Sequence, residues 1–527
     1  MKFSDFARNL LISAFGLVLF FGVLEFATHL LYPRKIKTYF NEQTERALGA
    51  PIRRKAPGEY RIFIFGGSYA FGFPVSDHYS IAIWLKKSFS LIFSEKKIEV
   101  INTAWPGKGS HHVVEGTHTV LKYHPDLFVI YSGHNDFPTT NRLYLDNWLY
   151  WLNLRLTYRS AFYRYLGKRL DQLRKYIVYH GHPGQVEKHY REEIIAQKVY
   201  KKIEIDDRDY DRILKRYLEN MEEVIHLAKK HHVKVVFLNL PSNIHDIPPA
   251  ASSHANGLTA EQRGDWDRAF QEGKKLQAKG KFKEAVAAYT QAAAIDSSYA
   301  ELQFQLAICY ERVGDYEAAK KAYTLARDLD CAPWRAKSSM NEAIRELCLK
   351  HHVIFVDIAS SLERLSPHGI ISSDLVYDNV HPSVKGQQII SDEILQALAR
   401  NNQIAPAEKW DWESLEKARE ASKDWKVEGS VNAYRYILKG LYLWGEQRYA
   451  EAIADLKKGQ ELMPNFIESY AFLGDAYFHM GQQGKALEAF QMLAEKDSAL
   501  SEFLMKRYPE IQQSYSHIMQ VAETSRK

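Results

Sequence analysis

Short apolar runs that end in polar turns recur along the chain. The first runs from Ile62 to Phe65, and later ones cover Ile98 to Asn102 and Leu127 to Tyr131. Two more run from Val233 to Leu240 and from Val353 to Asp357. Apolar runs of four to eight residues bounded by turn residues are typical of strands buried on both faces. The sequence therefore predicts five buried strands.

Segments with helical periodicity separate these strands. We predict helices over Tyr79–Phe93, His112–Tyr123, Asp211–Lys230 and Arg335–Lys350. The alternation of strands and helices favours an α/β fold, a doubly wound parallel five-stranded sheet in three layers of the flavodoxin-like kind. Ligands of such sheets bind at the carboxyl ends of the strands, and the polar turns after the first three strands fall at that edge.

An apolar stretch near the N-terminus predicts one transmembrane helix. Leu10–Leu31 is long enough to cross a bilayer and has basic residues on both sides. Its acidic residue, Glu25, opposes insertion by about 3 kcal/mol, which the Leu, Ile, Phe and Val side chains offset at roughly 0.3–0.6 kcal/mol each. Because Tyr32 and Pro33 follow at once and leave no small-residue cleavage site, we expect an uncleaved anchor. The alternative is a helix of the globular core.

Composition and spacing exclude several classes of function. The net charge of +6 is spread along the chain, so we expect no nucleic-acid partner. The three cysteines have no metal-ligand spacing, and the paired histidines lie beside strands, where neighbouring side chains point to opposite faces. We therefore predict no metal site. Nor is Gly72 the last glycine of a phosphate-binding loop, since Phe73 follows it where lysine would be needed.

Residues repeat at intervals of 34 in the segment after the fourth strand. The matching positions are Gly273 and Ala307, Gly280 and Gly314, Phe282 and Tyr316, Ala285 and Ala319, Tyr289 and Tyr323, and Ala292 and Ala326. This pattern resembles the tetratricopeptide repeat. A second array near the C-terminus has Gly440 and Gly474 at the same spacing. Because such arrays form a groove that binds proteins, we expect a protein partner; a purely buttressing role is the alternative.

Two polar segments have the residues needed for nucleophilic catalysis. Ser68 follows the first strand and two glycines, at a sharp turn that exposes its hydroxyl. Asp378 lies three residues before His381 on a loop near the end of the predicted sheet. An acid at this spacing can fix the tautomer of the imidazole ring, and Nε2 is then left to accept a proton from a nucleophile.

These segments resemble four blocks of the SGNH (GDSL-like) hydrolases. The blocks are GGS at Ser68, a glycine at Gly107, G-H-N-D at Gly133–Asp136 and D-x-x-H-P at Asp378–Pro382. They come in the family's order and on the expected strands. Two positions depart from the family pattern. Gly67 stands where an acid is usual, and Tyr69 replaces leucine or isoleucine, a variant of membrane-anchored bacterial members.

The resemblance implies a role for each block. Ser68 would be the nucleophile, His381 the general base and Asp378 the group that orients it. The oxyanion hole would consist of the Ser68 amide, the Gly107 amide and the Asn135 side chain. Such donors must already point to the oxygen atom on which charge develops.

The resemblances also divide the chain into parts. We predict a membrane anchor at 1–36, the first part of the SGNH domain at 58–256, inserted tetratricopeptide repeats at 257–332, the last part of the SGNH domain at 333–400, a linker at 401–429, and C-terminal repeats at 430–527.

The implied activity is that of a serine esterase that works through an acyl-enzyme and needs no cofactor. With the anchor, it leads us to expect an O-acyl ester of an extracytoplasmic glycan as substrate. The protein would be a single-pass inner-membrane protein with a periplasmic catalytic domain. Two alternatives stay open. One is an O-acyltransferase of bacterial polysaccharide acetylation, and the other is a non-catalytic assembly or scaffold protein that uses its repeats.

Overall fold

The computed structural model describes residues 52–74, 79–139, 206–421 and, with short gaps, 433–526. It also describes scattered positions within 20–27 and 152–170. The predicted anchor, Leu10–Leu31, therefore lies mostly outside the described residues. Among the residues that are described, no helix is both long and apolar enough to span a bilayer.

The centre of the fold is the predicted five-stranded sheet. Its strands are β1 (Tyr60–Gly66), β2 (Ile98–Asn102), β3 (Leu127–Tyr131), β4 (Lys234–Leu238) and β5 (Ile354–Val356). All four strand pairs are parallel, and the order across the sheet is β2-β1-β3-β4-β5. This is the flavodoxin-like order of doubly wound sheets, and the predicted fold class is confirmed for the sheet.

Helices cover both faces of the sheet. The helices of this domain are α1 (Ser68–Phe71), α2 (Ile81–Ile92), α3 (Ser110–Val120), α4 (Asp136–Thr139), α5 (Asp207–Lys230), α10 (Ser338–His351), α11 (Ile358–Leu365), α12 (Val384–Arg400) and α13 (Trp412–Ala421). Helix α5 packs against α3 and α10, whereas α2 packs against α12 and α13. These two groups form the outer layers.

Polar contacts account for two of the elements that are shorter than the sequence predicts. β4 ends at Leu238, because Leu240 exchanges backbone hydrogen bonds with the side chain of Asn341. Helix α10 begins at Ser338, three residues later than predicted. Arg335 precedes it as a buried side chain that donates to the carbonyl groups of Asn243 and Ile247.

Both repeat arrays consist of consecutive helices that pack in pairs, with one further helix at the end of the second array. The first contains α6 (Ala260–Ala278), α7 (Phe282–Ile295), α8 (Ala300–Arg312) and α9 (Tyr316–Asp328), and the second contains α14 (Ala433–Gly445), α15 (Tyr449–Leu462), α16 (Ser469–His479), α17 (Gln483–Lys496) and α18 (Pro509–Arg526). A Cβ at Gly273 would lie 2.5 Å from the ring of Tyr289, and one at Gly474 would lie 2.6 Å from the ring of Phe490. Glycine at these positions lets each helix pair close around an aromatic side chain.

The first array packs at the carboxyl edge of the sheet. The Asp330 carboxylate accepts hydrogen bonds from the amides of Ala250 and Ala251, in the segment that follows β4. Lys320 on α9 forms an ion pair with Glu363 on α11, the helix that follows β5. The array therefore lies at the sheet edge from which its insertion after β4 begins.

The second array reaches the same edge from the other end of the chain. Arg435 on α14 pairs with Asp374, and the Tyr442 hydroxyl donates to the carbonyl of Pro248 at 2.9 Å. Tyr434 packs beside Trp84 and Val384. The second array is thus attached to the sheet domain through its first helix.

His245 joins the first array to the sheet domain. Its Nδ1 lies 3.0 Å from Asp246, and its Nε2 lies 3.1 Å from Glu311 on α8. Asp246 also accepts a hydrogen bond from the Ser373 amide. The hydrogen bond with Asp246 raises the pKa of His245, and the nearby Glu311 carboxylate adds to the rise. Burial lowers this pKa, but the attraction of the two carboxylates to the imidazolium is the larger effect.

We expect His245→Gln to lower the melting temperature more at pH 6 than at pH 9. The pKa of His245 is higher in the folded protein than in the unfolded chain, where it is about 6.5. The charged His245 therefore stabilises the fold fully at pH values below the unfolded-state pKa, and this stabilisation is lost as the pH rises through the folded-state pKa. Thermal unfolding of both proteins across this range measures the difference. The exposed His231→Gln is the control, and an equal loss at both pH values would contradict the prediction.

Candidate active site

Ser68 lies at the sharp turn between β1 and the short helix α1. β1 ends at Gly66, where a Cβ would lie 1.9 Å from the carbonyl oxygen of Tyr131 on the neighbouring strand. Gly67 keeps an extended backbone, and Ser68 is the first residue of α1. This turn places the serine hydroxyl at the carboxyl edge of the sheet, as the sequence predicts.

A chain of two hydrogen bonds links Ser68 to His381 and Asp378. His381 Nε2 lies 2.7 Å from Ser68 Oγ, across 313 positions of sequence. Its Nδ1 lies 2.7 Å from Asp378 Oδ2 and 2.9 Å from Oδ1. Asp378 is an anion here, so Nδ1 donates to it and Nε2 accepts the hydrogen bond from the serine hydroxyl. The three predicted residues therefore meet in the arrangement that a serine nucleophile requires.

The environment of Asp378 keeps its carboxyl group ionised. Burial opposes the charge, but the adjacent His381 ring holds the pKa of Asp378 below its usual value. The backbone amides of Val380 and His381 add hydrogen bonds of 3.0 Å to Oδ1. An ionised carboxylate fixes the imidazole tautomer and would stabilise the imidazolium that forms when Ser68 loses its proton.

Asn243 holds the hairpin that carries Asp378 and His381. The hairpin closes through a bridge between Val376 and Pro382. The Asn243 side chain donates to the Val376 carbonyl at 3.1 Å, and the backbone N–H of Asn243 donates to the Asn379 carbonyl at 3.2 Å. Asn243 is fully buried. The sequence signal for it was a polar turn after the fourth strand, which did not indicate a contact with the histidine loop.

The predicted oxyanion-hole residues lie around the Ser68 turn. Asn135 Nδ2 is only 2.2 Å from the position that a Cβ at Gly67 would occupy, and it donates to the Lys108 carbonyl at 3.0 Å. Gly107 lies in the turn after β2, with a φ of +70° that favours glycine. The same turn is tied to β1, because the Trp105 amide donates to the Gly66 carbonyl at 3.0 Å.

Asp136, the last residue of the third block, connects two loops. Its carboxylate accepts hydrogen bonds from the amide and the hydroxyl of Ser110, the first residue of α3. Burial raises the pKa of Asp136 to about 6, and the hydrogen bonds from Ser110 limit the rise. Asp136 thereby fastens the loop after β2 to the loop after β3.

Aromatic side chains lie beside the proposed nucleophile and base. The Phe73 ring is 5.0 Å from the His381 ring, and 38% of the residue is exposed. On the side of the β2 loop, Phe71 and Trp105 contact each other at 6.1 Å. In the described part of the chain, no three His, Cys, Asp or Glu side chains cluster so that they could hold a metal ion.

Comparisons with known proteins identify the repeats. A family model described as Tetratricopeptide repeat matches residues 276–336. This confirms the repeat that the 34-residue spacing predicts in the inserted segment. No curated protein matches the chain.

Solved structures of lipases and esterases are among those similar to this chain. A GDSL-like lipase from Bacteroides thetaiotaomicron is 11% identical, with 69% of this chain and 98% of that chain covered and a TM-score of 0.30. An acetylxylan esterase from Geobacillus stearothermophilus is 12% identical, with 64% and 94% covered and a TM-score of 0.30. The first carries the name of the family that the four sequence blocks resemble. Likeness at this level says nothing about the reaction of this chain.

We expect Asn243→Ala to slow the attack of Ser68 on p-nitrophenyl acetate by about tenfold, because the buried carbonyl of Val376 would lose its donor at a cost of ~1–3 kcal/mol and the hairpin would shift. Ester hydrolysis and thermal unfolding measure the effect. Asn401→Ala is the control, since Asn401 also donates to a carbonyl, that of Ala397, but is exposed at the far end of α12. Equal activity of the two variants would show that Asn243 does not hold the hairpin.

Proposed function

We propose that this protein is a serine esterase of the SGNH type. The observation that carries the proposal is the hydrogen-bond chain from Ser68 Oγ through His381 to Asp378, with both links at 2.7 Å. A serine hydroxyl is a weak nucleophile until a base accepts its proton, and His381 Nε2 is placed to do so. The position of Asn135 beside the turn supports its role in the oxyanion hole.

The reaction would follow from these positions. Ser68 Oγ attacks the ester carbonyl carbon while His381 Nε2 takes the hydroxyl proton. The tetrahedral oxyanion accepts hydrogen bonds from the amides of Ser68 and Gly107 and from the Asn135 side chain. The intermediate collapses, the C–O bond of the leaving alcohol breaks, and His381 returns the proton to the alcohol oxygen. Water then attacks the acyl-enzyme by the reverse steps and releases the carboxylic acid.

The proposed substrate is an O-acyl ester of an extracytoplasmic glycan. Phe73 and Trp105 support this choice, since partly exposed aromatic rings beside a catalytic serine offer apolar faces to a sugar ring or a short acyl group. If a sugar hydroxyl replaced water at the second step, the same site would transfer the acyl group. Analysis of products in the presence of an acceptor sugar separates hydrolysis from transfer.

The repeats are proposed to recruit a protein partner or a protein-borne substrate to this site. Ion pairs and hydrogen bonds fasten both arrays to the carboxyl edge, through Lys320 in the first array and Arg435 in the second. A partner bound to an array would therefore be held at the edge that carries Ser68. Binding energy of this kind, remote from the reacting bond, can raise the rate for the natural substrate.

We expect Ser68→Ala and His381→Ala to abolish hydrolysis of a short activated ester such as p-nitrophenyl acetate. Asn135→Ala should lower kcat by about a hundredfold, because one oxyanion donor is lost. Spectrophotometric assay and circular dichroism of all three variants test the proposal. Undiminished hydrolysis by a folded Ser68→Ala protein would eliminate Ser68 as the nucleophile.

We also propose a single-pass anchor in the inner membrane, with the catalytic domain in the periplasm. The support is the apolar run from Leu10 to Leu31 with its flanking basic residues. The full chain should need detergent for extraction, whereas a chain beginning at Lys37 should stay in solution. Immunoblots of pelleted membranes and supernatant measure the distribution. Recovery of the full chain in the supernatant would refute the anchor.

A further inference from the structure

Tyr69, the residue after the proposed nucleophile, is completely buried. Its ring makes edge-to-face contacts with the rings of Tyr131 and His134, both at 4.8 Å. Burial raises the pKa of Tyr69, so the hydroxyl stays neutral. The side chain that follows Ser68 is therefore fixed in the core below the site and is directed toward the end of β3.

The Tyr69 hydroxyl is bonded to the backbone of the third block. It accepts a hydrogen bond of 2.9 Å from the Gly133 amide, and the His134 amide faces the same oxygen. Gly133 follows β3 and is two residues before Asn135. The backbone that presents Asn135 is thus linked by one side-chain hydrogen bond to the residue that follows Ser68.

The same ring defines the space around Gly67. A Cβ at Gly67 would lie 2.2 Å from Asn135 Nδ2 and 2.8 Å from Tyr69 Cε1. The Asn135 amide and the tyrosine ring therefore both contact the turn that presents the nucleophile. Asn135 lies between the Gly67 backbone and the Lys108 carbonyl, to which it donates at 3.0 Å.

We propose that Tyr69 is a positioning residue for the oxyanion hole, and that its hydroxyl sets the distance between Ser68 and the Asn135 amide. Tyr69 is covalently attached to Ser68, and its hydroxyl holds the start of the segment that carries Asn135. One side chain therefore ties the nucleophile to an oxyanion donor on the next strand. This proposal rests on the proposed esterase function.

Tyr69→Phe removes the hydroxyl and leaves the ring, and Tyr131→Phe is its matched control. Tyr131 is equally buried and contacts Tyr69, but its hydroxyl has no hydrogen-bond partner among the residues that the structure describes. With p-nitrophenyl acetate, we expect Tyr69→Phe to lower kcat about tenfold with KM within twofold, and Tyr131→Phe to change neither. A Tyr69→Phe enzyme with full kcat, even if it melts at a lower temperature, would overturn the proposal.

A double-mutant cycle tests whether Tyr69 acts through Asn135. In an Asn135→Ala background, Tyr69→Phe should cause no further loss of kcat, because the group that it positions is already absent. If the loss of kcat in the double variant equals the product of the losses in the two single variants, the proposal is overturned.

Hydrogen exchange gives a readout that does not depend on activity. The peptide spanning residues 131–137 should exchange faster in Tyr69→Phe than in the wild type or in Tyr131→Phe, since the Gly133 amide would lose its acceptor. Unchanged exchange would contradict the hydrogen bond. A wild-type protein without esterase activity would overturn the proposed function, and the exchange result would still decide whether Tyr69 holds this backbone.

Discussion

The site depends on one constraint of parallel sheets, that the carboxyl ends of all strands meet at one edge. In the order β2-β1-β3, the first strand lies between the second and the third. Ser68, which follows β1, is therefore flanked by the loop with Gly107 on one side and the loop with Asn135 on the other. Strand order alone brings together the proposed nucleophile and the two loops that carry the proposed oxyanion donors, before any contact between side chains is considered.

His381 is not placed by strand order, because its hairpin follows β5. Three strand spacings separate β5 from β1, or about 14 Å at 4.7–4.9 Å per strand. The hairpin must therefore reach back over the ends of β4 and β3. Asn243, which follows β4, bonds to the hairpin at two points, and Arg435 of the second array pairs with Asp374 at its start. These contacts hold His381 at hydrogen-bond distance from Ser68.

Features set by neighbouring residues could be predicted from the sequence, whereas features set by contacts between distant residues could not. The second and third strands have the predicted bounds, since apolar runs and turn residues are local signals. The end of β4 and the start of α10 were not predictable, because hydrogen bonds of Asn341 and Arg335 with residues distant in sequence set them. The triad residues were visible as motifs in sequence, whereas the support from Asn243 depends on a contact 133 positions away.

The two departures from the family pattern belong together physically. A side chain at position 67 would meet the buried Tyr69 ring, which lies 2.8 Å from the position of its Cβ, so glycine at 67 and tyrosine at 69 are compatible with each other. The segment between α9 and α10 meets the same region. The amide of Ala336 in this segment donates to His134 Nδ1 at 3.0 Å, and burial lowers the pKa of His134 to about 3, so the ring stays neutral with its proton on Nε2. Because His134 precedes Asn135, this hydrogen bond ties the segment before α10 to the backbone that Tyr69 holds.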